Sequence, residues 1–237
     1  MLLAPIPTLN CLELVREFKY HLVECHWLQK YEVYNKFFEE LAATNEYHLI
    51  LDNSEGIGHR VTDEVLLDFA KKLSVKEVVV PDVNPIKSND IKGAIKTLEM
   101  AKVFIEKTKD RDFQLMGVAH GMNIEEVGVL LRFYEKNEMV VGFPNKAAIP
   151  REFLLRYCRV PKSKRHLLGA SSVIELERCK NLARSVDTNL PFRAATCNTH
   201  IFTYTDSCAA PLDIEKSVVI PDRASAYLRY VRDYISV

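Results

Sequence analysis

The sequence repeats one unit almost throughout, a short apolar run followed by an amphipathic stretch. An apolar run without polar alternation is typical of a strand covered on both faces, as in a parallel sheet. The runs are Leu2–Ile6, Tyr20–Cys25, Tyr47–Leu51, Glu77–Val80, Gln114–Val118, Met139–Phe143, Arg165–Leu168 and Ser185–Leu190. We therefore expect parallel strands that alternate with helices.

The stretches between these runs space their apolar side chains as a helix does. In the clearest one, Val65, Leu66 and Phe69 follow Thr62, a residue type that caps the amino ends of helices. We predict helices at Tyr31–Ala43, Thr62–Leu73, Asp90–Lys107, Ile124–Glu135, Arg151–Tyr157, Ser172–Ala183 and Asp222–Ile235. The stretch Ala194–Ser217 has no clear period and is predicted to be a long loop.

Eight strand–helix units in 237 residues predict a single (β/α)8 TIM-barrel domain over residues 1–237. A doubly wound sheet is the alternative, because the first and last strands are weakly marked. The sequence shows neither a signal peptide nor an apolar run that could span a membrane. Its six cysteines form no C-x-x-C pair and are typical of reduced thiols, so we expect a cytoplasmic protein without a metal site or a cofactor.

In a TIM barrel the chemistry collects at the carboxyl ends of the strands. Three of the predicted strand ends carry an aspartate: Asp52, Asp82 and Asp187. Carboxylates that converge on one mouth suit acid–base chemistry or covalent chemistry at a glycosidic bond. Each aspartate also fits a simpler interpretation as a helix N-cap, and His120 fits one as a structural histidine.

These strand ends resemble those of the tRNA-guanine transglycosylase superfamily, and most of all its DNA-acting DpdA-type members from phages and bacterial DNA-modification islands. The segment Asp187–Arg193, Asp-Thr-Asn-Leu-Pro-Phe-Arg, is similar to the family's D-x-x-L-P-x-R motif with the nucleophilic aspartate. Further similar segments lie in the family's order along the chain: Leu51–Ser54, Val80–Asp82, Gly117–Gly121, Val141–Gly142 and His166–Ala170. The resemblance covers residues 20–193.

The resemblance implies a pentosyltransferase that replaces guanine in DNA by a 7-deazaguanine such as preQ0. It implies Asp187 as the nucleophile and Asp52 as the general acid and base. Asp82 would bind the base together with four neighbours: Asn53, His120, Gly142 and Leu168. A phage-encoded member would act in the host cytoplasm.

Two departures from the family bear on the substrate. The zinc site of the tRNA-acting enzymes is absent from this sequence, which favours DNA over tRNA as the partner. His120 stands where the family has a glutamine that contacts the base, which leaves the identity of the incoming base open.

The formal net charge is zero, so contact with nucleic acid requires a local basic patch. The candidate for phosphate binding is the basic run near the predicted seventh strand: Arg159, Lys162, Lys164 and Arg165. Arg193, from the Asp187 segment, extends this run. A solvated surface face is the simpler interpretation of each of these residues.

Three other functions remain open from the sequence. One is a tRNA-guanine transglycosylase. Another is a barrel enzyme acting on a nucleoside or a sugar phosphate, for which Gly169–Ser172 would bind the phosphate. The third is a non-catalytic nucleic-acid-binding subunit, which the presence of all three aspartates disfavours. The sequence leaves open whether the chain works as a homodimer or with an accessory protein.

Overall fold

The computed structural model describes residues 1–88, 90–145, 147–204 and 219–236. Within these ranges the chain forms eight strands. They are β1 (Leu2–Pro5), β2 (Tyr20–Glu24), β3 (His48–Asp52), β4 (Glu77–Val79), β5 (Gln114–Val118), β6 (Val140–Pro144), β7 (Arg165–Leu168) and β8 (Ser185–Thr188). Each strand falls on one of the predicted apolar runs, so all eight predicted strands are confirmed.

Helices follow the strands on the outside of the sheet. They are α1 (Cys25–Lys30), α2 (Glu32–Ala43), α3 (Asp63–Lys72), α4 (Pro85–Ser88), α5 (Gly93–Lys107), α6 (Ile124–Lys136), α7 (Arg151–Tyr157), α8 (Val173–Cys179), α9 (Leu190–Thr196) and α10 (Pro221–Ser236). Short 3-10 helices lie at Leu9–Val15, Glu55–Ile57 and Lys162–Lys164. The Thr62 side chain accepts a hydrogen bond from the backbone N–H of Val65, which confirms it as the N-cap of α3.

The strands are all parallel, and their order around the sheet is β1-β8-β7-β6-β5-β4-β3-β2. β1 also contacts β2, although no ladder is formed between these two strands, so the sheet nearly closes on itself. A doubly wound sheet would instead reverse its strand order at a switch point. The fold is therefore a (β/α)8 barrel, as the sequence predicts.

The core has two layers. Most buried apolar side chains lie between the strands and the surrounding helices. A smaller set fills the interior of the barrel: Ala4, Tyr20, Leu22, Ile50, Val79, Met116, Val118 and Val140. Gly142 of β6 leaves room in this interior, since a Cβ atom there would lie 2.5 Å from Cδ1 of Leu168.

Two predictions about the last third of the chain and one about the cysteines need correction. The run Ser185–Leu190 is a strand only to Thr188, and α9 includes Ala194–Thr196, which were predicted as loop. Residues 205–217 of that predicted loop, with Cys208, lie outside the described residues. Cys197 is exposed, whereas Cys11, Cys25 and Cys179 are buried free thiols, as expected.

None of the described helices is both long enough and apolar enough to cross a membrane.

Candidate active site

A cavity of about 180 Å³ opens at the carboxyl ends of the strands. It lies where the barrel fold collects functional side chains. Residues from all eight strands or their following loops line it: Ile6, Leu22, Glu24, Asp52, Asn53, Gly56, Val79, Asp82, Asn84, Val118, His120, Pro144, Asn145, Leu168, Gly169 and Asp187. All three predicted aspartates are therefore in one cavity.

Asp187, near the end of β8, is almost fully buried and has a donor on each carboxylate oxygen. The backbone N–H of Gly169 donates to Oδ1 at 2.9 Å, and Nε2 of His166 lies 3.0 Å from Oδ2. Gly169 has a φ of +70°, a conformation that glycine adopts without strain. Hydrogen bonds from both sides fix the orientation of the carboxylate.

His166 itself was not predicted as a site residue. It lies inside β7, is fully buried, and holds Ser185 of β8 through Nδ1 at 2.8 Å. The signal in the sequence was a histidine within an otherwise apolar strand, because a buried polar side chain requires partners. Its partner Asp187 follows only from the alignment of β7 beside β8.

Asp52 and Glu24 end neighbouring strands and face each other in the β2–β3 ladder. Ser54 joins them, because its N–H donates to Asp52 Oδ1 at 2.6 Å and its hydroxyl donates to Glu24 Oε2 at 2.8 Å. Ser54 has a φ of +64°, a strained backbone of the kind that concentrates at functional sites. Sequence reasoning assigned no role to Glu24, although it lies at the end of the predicted second strand.

Burial raises the pKa of Asp52 well above its usual range, and the nearby negative charge of Glu24 raises it further. Asp82 and Asp187 add to this effect, while the N–H of Ser54 opposes it. Like charges in a poorly solvated site disfavour the ionised form, so Asp52 is the carboxyl group that retains its proton most easily. Neighbouring carboxyl groups with opposite environments are the arrangement that acid–base catalysis needs.

Asp82 is held between Asn53 and His120. The Asn53 amide donates to Asp82 Oδ1 at 2.8 Å, and Nε2 of His120 lies 3.1 Å from Oδ2. The same amide donates to the carbonyl of Val80, and its oxygen accepts from the N–H of Glu55. Asn53, predicted to bind substrate, therefore uses both ends of its amide within the protein and orients Asp82 instead.

Leu168 and Gly142 lie at different depths relative to the cavity. Leu168 lines the cavity, as predicted for an apolar surface against the base. Gly142 does not line it, because it lies beneath the Leu168 side chain. A direct contact between the backbone at Gly142 and a ligand in the cavity is therefore not available in this structure.

The predicted basic cluster lies at the wrong end of the barrel. Lys162, Lys164 and Arg165 lie where β7 begins, and Arg159 precedes them in the turn after α7. A parallel barrel puts the beginnings of its strands opposite the mouth. The expectation that these four residues flank the strand end at Gly169 is wrong.

Arg165 has a structural role at that end. Its guanidinium donates to the carbonyls of Val160, Leu155 and Leu182 at 2.7 to 3.1 Å. Lys164 likewise donates to the carbonyl of Glu138. Of the predicted phosphate-binding residues, Arg193 in α9 lies on the side of the mouth, with its guanidinium over the Tyr204 ring.

The helix cap interpretation does not describe Asp52 or Asp187. The N-cap of the 3-10 helix after β3 is Ser54, and that of α9 is Asn189. Both carboxylates instead accept hydrogen bonds at the cavity.

The loop Gly169–Ser172 is occupied by a carboxylate of the protein. Glu175 Oε2 accepts from both the N–H and the hydroxyl of Ser171, and Glu175 also pairs with Arg151. A phosphate at this point would meet a negative charge, which disfavours the sugar-phosphate alternative. No group of three or more histidine, cysteine or acidic side chains with metal-binding geometry occurs in the described part of the chain.

Comparison with known proteins gives information on the fold. Neither the protein-family models nor the curated protein sequences give a match. Among solved structures, the chain is similar to the N-acetylneuraminic acid (sialic acid) synthetase from Leptospira borgpetersenii serovar Hardjo-bovis, with 8% identity, a TM-score of 0.51, and coverage of 99% of this chain and 83% of that one. Orotidine 5'-monophosphate decarboxylase from Plasmodium berghei matches with 9% identity, a TM-score of 0.44, and coverage of 92% and 67%. At these identities the likeness extends to the fold alone.

Proposed function

We propose that this barrel is a base-exchange enzyme, a pentosyltransferase that replaces guanine in DNA by a 7-deazaguanine such as preQ0. The observation that carries the proposal is the contrast between two carboxyl groups in one cavity. Asp187 has a hydrogen-bond partner on each carboxylate oxygen, which fixes its orientation at the cavity. Asp52 has a raised pKa, caused by burial and by the charge of Glu24. One group is suited to attack and the other to carry a proton.

The reaction has two displacements at the sugar C1′. In the first, an oxygen of Asp187 bonds to C1′ while the bond to guanine breaks, and the proton of Asp52 passes to the departing base. In the second, the incoming 7-deazaguanine gives a ring N–H proton to Asp52 and its nitrogen bonds to C1′, which releases Asp187. Two inversions retain the configuration at C1′, as in retaining glycosidases.

The base would be recognised by Asp82. Its carboxylate oxygens accept from Asn53 and approach His120, yet each has lone pairs left for the N1–H and the 2-amino group of a guanine-like ring. Leu168 offers an apolar surface for the ring. The cavity is smaller than the roughly 300 to 1,000 Å³ of pockets for drug-sized ligands, which suits a single base.

A nucleic-acid substrate would reach this cavity only with the target nucleotide turned out of its stack. The four acidic side chains of the cavity repel phosphate, so the backbone would stay at the rim. Because the basic cluster lies at the other end, Arg193 is the predicted phosphate contact that fits this proposal. The absence from this sequence of the zinc site of the tRNA-acting enzymes supports DNA as the substrate.

The experiment is incubation of the purified protein with duplex DNA and preQ0, followed by digestion to nucleosides and mass spectrometry. We expect a 7-deazaguanine nucleoside from the wild-type protein and from Asp68→Ala, a control at an exposed position of α3. Asp187→Ala should form none. Product on tRNA alone would favour the tRNA-acting alternative, and product on free guanosine alone would favour a nucleoside enzyme. Absence of exchange on all three substrates would contradict the proposal.

A further inference from the structure

A line of buried polar side chains crosses the interior of the barrel from the cavity to the opposite end. From Asp187 Oδ2 it runs to Nε2 of His166 at 3.0 Å, and from Nδ1 of His166 to the Ser185 hydroxyl at 2.8 Å. The Ser185 hydroxyl lies near the phenol of Tyr20. The Tyr20 phenol in turn donates to Glu77 Oε1 at 3.3 Å. We refer to Asp187, His166, Ser185, Tyr20 and Glu77 as the buried polar chain.

Glu77 anchors the far end of this chain as a negative charge. Nε2 of His48 lies 2.6 Å from Oε1, and Nη2 of Arg184 donates to Oε2 at 2.5 Å. Burial opposes ionisation of Glu77, but these two partners outweigh it and lower its pKa to about 2. The buried polar chain is thus bounded by carboxylates at both ends, with His166 between them.

The hydrogen bonds at Asp187 determine where the proton of His166 lies. The Gly169 N–H already occupies Oδ1, and an ionised Oδ2 can only accept. Nε2 must therefore carry a hydrogen. Nδ1 of the neutral ring then accepts from the Ser185 hydroxyl, and Nε2–H is directed at Asp187.

The buried polar chain does more than fill space, because it lies among apolar side chains of the barrel interior. The other side chains that fill this interior are apolar, among them Leu22, Val79 and Met116. Buried polar groups among apolar ones are unfavourable unless each has a partner. His166 does not line the cavity, so it would not touch a ligand.

We propose that His166 is a positioning residue that holds Asp187 in one orientation through Nε2–H, with its ring fixed from the other side by Ser185. The consequence for catalysis rests on the proposed function, in which Asp187 is the nucleophile. The positioning of Asp187 does not rest on the proposed function, because it can be observed without any substrate.

The first test is NMR of the protein without substrate. We expect the nitrogen shifts of His166 to report a protonated Nε2, and the carboxyl carbon of Asp187 to change its chemical shift in His166→Phe relative to the wild type. His166→Gln retains an N–H donor near Nε2 and should restore the wild-type shift. His21→Phe is the matched control, since His21 is also a fully buried strand histidine but contacts Phe38 and Tyr47 instead of the buried polar chain.

The second test is kinetic, on whichever substrate supports base exchange. His166→Phe should lower kcat about ten- to hundredfold and leave KM within about twofold, because a hydrogen bond to a charged group is lost at the reacting centre. His166→Gln should recover most of this loss. Ser185→Ala removes only the partner at Nδ1 and should lower kcat about fivefold. If His166→Phe does not fold, the Gln and Ser185 variants still test the proposal.

Two results would overturn it. One is a neutral His166 with its proton on Nδ1. The other is a His166→Phe protein in which the carboxyl carbon shift of Asp187 and kcat match those of His21→Phe. If the NMR results agree with the proposal but no substrate is converted, the positioning of Asp187 stands and the proposed function fails.

Discussion

Glu24 and Asp52 are the last residue pair in register between β2 and β3, and Ser54 bridges their carboxyl groups. The two strands end together, so their terminal side chains are forced to share one poorly solvated edge of the barrel. This relationship, rather than Asp52 alone, gives the cavity a carboxyl group that holds its proton. As a result, a substitution at Glu24 should change the protonation of Asp52.

Replacement of Glu24 by glutamine should lower the pKa of Asp52. After burial, the charge of Glu24 is the largest contribution that raises this pKa, and glutamine removes the charge while retaining an acceptor for the Ser54 hydroxyl. Asp52 would then lose its proton at lower pH. We expect the alkaline limb of the profile of kcat/KM against pH to move to lower pH in Glu24→Gln. An unchanged limb would contradict the role of Asp52 as the acid.

Replacement of Asn53 by alanine should impair binding of the base more than the chemical step. The amide of Asn53 orients Asp82 and also bonds to Val80 and Glu55. Without it, Asp82 keeps only His120, and we expect KM for the incoming base to rise about tenfold, with a smaller change in kcat. Asn137→Ala, in the C-cap of α6, is the matched control for the loss of an amide. A fall in kcat with unchanged KM would argue against this role of Asp82.

Replacement of Arg165 by glutamine should destabilise the protein without affecting contact with nucleic acid. Its guanidinium holds backbone carbonyls of Val160, Leu155 and Leu182, so we expect the free energy of unfolding to fall by about 2 to 4 kcal/mol. Lys162→Gln, at an exposed position next to it, should leave stability nearly unchanged. Denaturant unfolding and salt-dependent DNA binding measure the two effects. A weaker DNA affinity in Lys162→Gln would indicate that this end of the barrel contacts nucleic acid.

Replacement of His21 by phenylalanine should make the protein less sensitive to acid. Burial lowers the pKa of His21 to about 4, whereas the unfolded chain has the ordinary value of 6.5. Between these two values the unfolded state binds a proton that the native state does not, so stability falls as the pH drops. The contribution of His21 to this loss is about 3 kcal/mol. Denaturant unfolding at pH 7 and pH 4.5 should show a smaller loss in His21→Phe than in the wild type, and equal losses would contradict the prediction.

Local patterns predicted the elements well, because strand burial and helical spacing are properties of neighbouring residues. α9 was missed, although Pro191 in its first turn is a signal of a helix start. The location of Arg165 could also have been predicted, since the first residue of a strand lies at the end of the barrel opposite the mouth. Both failures concern the ends of elements, where the periodic signal is weakest.

The sequence by itself determined the alternation of strands and helices, and hence that Asp52, Asp82 and Asp187 would share one edge of the sheet. Only the tertiary structure decided which groups meet them there. His166 reaches Asp187, and Glu24 reaches Asp52, through the alignment of adjacent strands, and the Asn53 amide donates to Asp82. Ionisation depends on burial and on charges a few ångströms away, and these neighbours come from distant parts of the chain.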